Sequence, residues 1–154
     1  MGSDFSVLIP AAGNCEFLKK TLESICNSSI LPHEVVIVDD GIEESVVDVI
    51  SLFASELNIT ILKNPGSGIV SALNAGLTHC KTTFIARLDA DDMVTSDRFE
   101  RQLTFMCANQ HVAVLGGQVD FIDSKGEITG RSNYEVGRLD NKDAFGKICM
   151  LAHP

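Results

Sequence analysis

Two clusters of carboxylates stand out among the 154 residues, Asp39-Asp40-Gly41 and Asp89-Ala90-Asp91-Asp92. Carboxylate oxygens suit Mg2+ or Mn2+, and a magnesium-type site commonly takes one or two of them and fills its shell with water and ligand phosphates. Asp89 and Asp91, separated only by the small Ala90, are the sharper candidates. The competing reading is a solvated turn whose acids, Asp92 or Ser96 among them, favour the start of the next helix. Asp39-Asp40-Gly41 is a weaker signal, because Asp-Gly is ordinary turn chemistry. Gly66-Ser67-Gly68 can cradle a phosphate at a helix start. It matches neither the dinucleotide-binding nor the P-loop pattern, and by itself reads as a flexible loop. Arg87 either touches a phosphate or pairs with a neighbouring acid. There is no HExxH, no nucleophile elbow and no Ser/His/Asp set, and His33, His79 and His111 read as solvated imidazoles.

These residues need a frame that brings them together. Phe5 to Ile9 is an apolar run closed by Pro10, and reads as a buried strand ending there. Phe17, Leu18, Leu22, Ile25 and Cys26 recur at helical spacing. Glu34 to Val38 is a second β-branched strand, ending at Asp39. A helix carrying Val46 to Leu57 follows, then a strand over 58–62, a loop over 64–68 and a small-residue helix from about Ile69 to His79. Thr83 to Leu88 is a fourth strand, delivering the second acidic cluster. A helix with Phe99, Leu103, Phe105 and Met106, a fifth strand over Val112 to Leu115, a strand end and turn over 121–126 and a short helix near 141–151 complete the reading. Such alternation predicts a three-layer α/β fold, with a mostly parallel Rossmann-like sheet and helices on both faces. Ligands of these sheets bind beyond the carboxyl ends of the strands, where both acidic clusters fall.

Composition narrows the class. Twelve Lys and Arg against 21 Asp and Glu give a net charge of −9, the reverse of a chain that grips nucleic acid by its phosphates. Trp is absent and Tyr occurs once, which disfavours base stacking on single strands. No apolar run reaches the roughly 18 residues of a spanning helix. Five scattered cysteines without a CxxC pair indicate neither a zinc site nor a disulfide framework, and read as free thiols of a reducing cytoplasm. Residues 1–4 read as a tag or a disordered start and 5–154 as one domain. The abrupt stop at His153-Pro154 reads as a domain cut from something longer.

In order and spacing, several segments together resemble family 2 glycosyltransferases of the GT-A fold, specifically their nucleotide-sugar-binding half. They are Val7-Leu8-Ile9-Pro10, Leu22-Glu23-Ser24-Ile25, Val36 to Gly41, Gly68 with Ala72 to Leu77, Ile85 to Asp92, Asp97 to Gln102, and Val114 to Gly117. The resemblance implies that Asp89-Ala90-Asp91 is the family's DxD motif, with Asp91 the direct ligand of Mn2+ or Mg2+ and Asp89 near the ribose and the metal's water shell. It implies that Asp40 contacts the base, usually uracil, that Pro10 and Ala11 line the base pocket, and that Gly68 belongs to the nucleotide site. The implied activity is inverting transfer of a sugar from a nucleotide diphosphate, a UDP-sugar for choice, to a saccharide or lipid-linked acceptor. No nucleic-acid partner is expected, and the expected setting is the cytoplasm, with peripheral attachment of a full-length protein to the inner face of the membrane as an option. Ala12-Gly13 stand where the family often has an aromatic residue and Asn, and Leu73 where it often has Arg. The acceptor half and the catalytic carboxylate are expected beyond His153-Pro154, so no base is assigned and the fragment is expected to be inactive alone. The alternatives are a metal-dependent nucleotidyltransferase, disfavoured by the lack of basic residues after the first strand, and a nucleotide-binding module without activity.

Overall fold

Two runs, Phe5-Ser6-Val7-Leu8-Ile9 and Val35-Val36-Ile37-Val38, are buried at every position. Strands buried on both faces belong at the centre of a covered sheet. In the computed structural model, which describes residues 4–13 and 15–133, they lie in strands β1 (Phe5–Gly13) and β2 (Glu34–Ile42). With β3 (Ile59–Lys63) and β4 (Phe84–Arg87) they form a parallel sheet of order β3-β2-β1-β4. The chain first builds outward from β1 through β2 to β3, then crosses to the other side of β1 for β4. The order therefore reverses beside β1, which is where ligands of such sheets bind.

The helices α1 (Leu18–Cys26), α2 (Glu44–Ser51), α3 (Gly68–His79) and α4 (Arg98–Ala108) close both faces. Strand alternation divides the core. Val7, Ile9, Val35 and Ile37 pack with Leu18, Leu22 and Ile25 of α1, Val46 and Ile50 of α2, and Phe99 of α4. Leu8, Val36 and Val38 turn the other way and meet Ala72 of α3. That second layer is thin because α3 presents small residues. A Cβ on Gly76 would run into Leu8 Cδ1 and lie 3.1 Å from Val38 Cγ2.

The structure corrects several boundaries. β1 does not end at Pro10, since Pro10 pairs with Val38 and Ala11 with Asp39. Leu8 sends its carbonyl to the Leu88 amide on the β4 side (3.1 Å), so by alternation the Pro10 nitrogen faces that same side, beyond the end of β4. A residue without an N–H loses nothing there. β2 likewise runs on through Asp39, Asp40 and Gly41 to Ile42. α2 ends at Ser51, and Phe53 and Leu57 reach the core from tighter turns, as in the Phe53 N–Ile50 O bond (3.1 Å). Val112 to Leu115 form no strand; no ladder pairs with them among the described residues, and Val114 is 57% exposed. The 121–126 segment is the first arm and turn of an antiparallel hairpin, β5 (Asp120–Ile122) and β6 (Ile128–Arg131). The helix expected near 141–151, residues 1–3 of the expected tag and Cys149 lie outside the described residues, as does the end of the domain read as 5–154.

Candidate nucleotide and metal site

A cleft of about 470 Å³ opens over the carboxyl ends of β1, β2 and β4. Pro10, Ala11 and Ala12 form its floor from β1, Asp40 comes from β2, Asp89-Ala90-Asp91 from the turn after β4, and Ile69 and Ala72 from the first turns of α3. Five of the six residues singled out for nucleotide or metal are thus brought together on one cleft: Pro10, Ala11, Asp40, Asp89 and Asp91. The sixth, Gly68, joins through Asp40, whose Oδ2 accepts its amide proton at 2.8 Å. Gly68 adopts φ +79°, a conformation open to glycine and strained for other residues. Its N–H is already committed to a carboxylate, so the loop does more here than punctuate a helix start.

Adjacent residues of an extended strand face opposite ways, and this separates Asp39 from Asp40. Asp39 turns into its own backbone. Its Oδ1 accepts from the Gly41 and Ile42 amides (2.8 Å each) and its Oδ2 from Lys63 Nζ (3.0 Å). The Ile42 amide, then Lys63 and the Gly41 amide, hold its carboxyl below the usual carboxylate range against an opposing desolvation. Asp40 faces the cleft, braced by Asn64 Nδ2 at 2.7 Å and by the Gly68 amide.

The second acidic cluster is a turn, closed by the Asp92 amide on the Asp89 carbonyl (3.2 Å). Helix α1 holds it from beneath. Buried Thr21 donates its hydroxyl to the Ala90 carbonyl (3.0 Å), and Ser24 Oγ accepts the Val94 amide (3.1 Å). Arg87 resolves to an acid partner, its Nη2 lying 2.8 Å from Asp89 Oδ1. Asp92 and Ser96 do not cap the following helix: α4 begins at Arg98 with Asp97 before it, and no side chain caps it. Instead Asp92 is half-buried, and burial, followed by the charges of Asp91 and Asp89, pushes its carboxyl up to about 6. Arg98 opposes that charge from behind, itself lowered to about 10 by burial while donating to Gln102 Oε1 (3.1 Å) and the Arg87 carbonyl (3.3 Å).

This donor set fits a divalent cation. Asp91 is exposed and lines the cleft beside Asp89, and a cation there would offset the like charges of Asp91 and Asp89 that add to burial in raising Asp92. No group of three or more His, Cys, Asp or Glu side chains is arranged to enclose an ion among the described residues. The arrangement suits an ion whose shell is completed by a bound ligand. The sequence signal missed the supporting residues Thr21, Ser24 and Asn64. It also missed Phe17, an aromatic wall of the cleft five residues past Ala12; the departure at Ala12-Gly13 leaves a stacking partner for the base either missing or supplied elsewhere. No helix of the described residues is long and apolar enough to cross a membrane.

Comparison with known proteins points in one direction. Residues 6–152 match the family described as glycosyl transferase family 2. The amylovoran biosynthesis glycosyltransferase AmsE of Erwinia amylovora is 32% identical over 160 residues, covering 96% of this chain and 59% of AmsE. A UDP-Gal:alpha-D-GlcNAc-diphosphoundecaprenol beta-1,3-galactosyltransferase of Escherichia coli is 38% identical over 108 residues, covering 68% of this chain and 38% of the enzyme. Among solved structures, the mannosyltransferase PcManGT from Pyrobaculum calidifontis, in complex with GDP-Man and Mn2+, superposes with a TM-score of 0.60 at 19% identity, covering 79% of this chain and 36% of that one. The chain thus spans just under 60% of the length of AmsE.

Proposed function

Because this chain belongs to glycosyl transferase family 2, we propose that its cleft binds a nucleotide-diphosphate sugar, a UDP-sugar for choice, as the donor half of an inverting GT-A glycosyltransferase. One observation carries the reading: Asp40 and Asp89-Ala90-Asp91, from strands on opposite sides of β1, wall a single cleft at the point where strand order reverses. Asp40 accepts a hydrogen bond from the base. Phe17 and Ile69 give the base apolar flanks, and Pro10 and Ala11 form the floor beneath it. Asp91 and Asp89 would hold Mn2+ or Mg2+, which would supply Lewis-acid stabilisation of the departing nucleoside diphosphate. Arg87 fixes the Asp89 carboxylate and Thr21 fixes the turn, so the ligating oxygens stay in place before the donor arrives.

In the whole protein a saccharide or lipid-linked acceptor supplies the hydroxyl. Its oxygen forms the new bond at the anomeric carbon as the bond to the phosphate oxygen breaks, and its proton passes to a base. The UDP-Gal donor and lipid-linked acceptor in the name of the Escherichia coli relative support this substrate class. The cytoplasm, at the inner face of the membrane, is the location proposed for the longer protein, with residues 5–154 as its donor-binding domain.

The test is thermal unfolding of this chain with UDP, with Mn2+, and with both. A ligand that binds only the folded state, present at a hundredfold its Kd, adds about 2.7 kcal/mol of stability. The pair is expected to raise the melting temperature more than the sum of the two alone. No shift at millimolar concentrations of both would overturn the reading.

A further inference from the structure

The side chain of Asn64, at the end of β3, is buried with 7% exposure in a chain segment otherwise exposed from Pro65 to Val70. A buried amide has two donors and one carbonyl oxygen with two acceptor sites, and leaving them unpaired is unfavourable. All four are filled. Nδ2 donates to Asp40 Oδ1 (2.7 Å) and to the Gly68 carbonyl (3.4 Å), while Oδ1 accepts from the Gly66 amide (3.2 Å) and Ser71 Oγ (2.6 Å). The amide cannot be turned over, because its oxygen would then face a carboxylate and its nitrogen an N–H. The backbone amide of Asn64 is spent as well, on the Asp39 carbonyl (2.8 Å). Space around the hub is tight: a Cβ on Gly66 would lie 2.6 Å from Ser71 Oγ.

We infer that Asn64 is a positioning residue that sets the nucleotide-base selectivity of the cleft, by clamping the Asp40 carboxylate to the start of α3. The inference rests on the reading of Asp40 as the base contact. Asn64 takes one lone pair of Oδ1 and the Gly68 amide takes one of Oδ2. Each oxygen keeps a second, and both are acceptors only. A carboxylate held at position 3 of the pyrimidine accepts the N3–H of uracil and repels the bare N3 of cytosine, whose pairing-edge donor is the N4 amino group instead. If Asp40 were loose, it could turn away from the wrong base and the discrimination would fade.

Asn64→Asp tests this, because it keeps the oxygen that accepts from Gly66 and Ser71 while replacing the donor to Asp40 with a second carboxylate. UDP and CDP affinities are measured with Mn2+ by calorimetry on the 154-residue chain and on Asn64→Asp, Ser71→Ala and Asp40→Asn. Hydrogen exchange at the Gly68 amide is followed without ligand. Asn64→Asp is expected to cut the UDP-to-CDP affinity ratio about tenfold, the scale of one charge-assisted hydrogen bond, and to speed Gly68 exchange about tenfold. Ser71→Ala, which leaves the Asp40 bond intact, is expected to keep the ratio. If Asp40→Asn abolishes the preference while Asn64→Asp preserves it, Asn64 only supports the loop and the inference fails, with the donor reading intact. If Asp40→Asn also preserves it, or the parent chain binds no UDP, the reading of Asp40 fails and takes the selectivity role of Asn64 with it. Unchanged Gly68 exchange in Asn64→Asp would show that there is no clamp at all. Should Asn64→Asp not fold, Asn64→Ser, too short to reach Asp40, is put through the same measurements with the same expected and overturning results.

Discussion

Asp39 and Asp40 are neighbours of one residue type with different work, and the strand pleat makes the difference. Asp39 bonds its own turn and Lys63, and its carboxyl is held below the usual range. A depressed carboxyl adds stability above the unfolded-state pKa, and that stability disappears as pH falls through the lower folded-state value. Asp39→Asn is therefore expected to cost about 1 kcal/mol at pH 7, and the gap to the parent chain should close below about pH 4. Urea unfolding at several pH values measures it; a gap of constant size would mean that charge is not what Asp39 contributes. At the second cluster, Asp91 is exposed to the cleft while Asp92 is half-buried with its carboxyl raised to about 6. An Asn at 92 replaces a group already reluctant to ionise, whereas an Asn at 91 removes the proposed ligand. Asp91→Asn is expected to weaken Mn2+-dependent UDP binding at least tenfold and Asp92→Asn clearly less. Titrations giving equal defects, or a worse one at Asp92, would move the site by one residue.

Helices α1 and α3 flank the site from opposite faces of the sheet by different means. α1 packs Leu18, Leu22 and Ile25 into the larger core layer, and from the same face Thr21 reaches the Ala90 carbonyl. The apolar stripe sets the helix, and the helix sets the acidic turn. α3 instead approaches so closely that Gly76 has no room for a methyl group against Leu8 and Val38, both buried. Leu8 lies in the middle of the sheet and has nowhere to go. Gly76→Ala is expected to destabilise the fold by about 1–3 kcal/mol, as overpacking does, even though alanine is the better helix former. A melting temperature at or above that of the parent chain would show that the helix can lift away from the sheet at little cost. Because Ile69 and Ala72 of α3 line the cleft, a lifted helix should also weaken nucleotide binding.

At the scale of the molecule, the cleft residues are those proposed to serve a donor and an ion, and family membership decides against the nucleotidyltransferase alternative. Transfer also needs an oriented acceptor and a base. General acid–base catalysis typically contributes about 10²–10⁴-fold and orientation more. This chain is therefore expected to bind donor without moving sugar to an acceptor, apart from slow donor hydrolysis. A product assay with several UDP-sugars and a panel of saccharide acceptors, run beside a version extended beyond Pro154, checks this. Equal turnover by the two would place a base within the 154 residues.

Much of this was legible from the chain alone. Buried β-branched runs alternating with helical stripes determine a parallel α/β sheet, since both signals are local periodicities. The cleft residues Pro10, Ala11, Asp40, Asp89 and Asp91 could be named because the family resemblance pointed to them, and because all five fall at or just past the carboxyl ends of strands, which converge in this architecture. Val112 to Leu115 misled because strand propensity is only a local preference, while a strand exists through a partner's ladder. Tertiary structure alone decided that Asp39 braces its own turn and pairs with Lys63, and that Arg87 pairs with Asp89. It alone decided that Thr21 of α1 and Asn64 at the end of β3 hold the two acidic clusters from 69 and 24 residues away. Hydrogen bonds between residues so far apart in sequence depend on how helices and strands stack, and no spacing within a single segment encodes that.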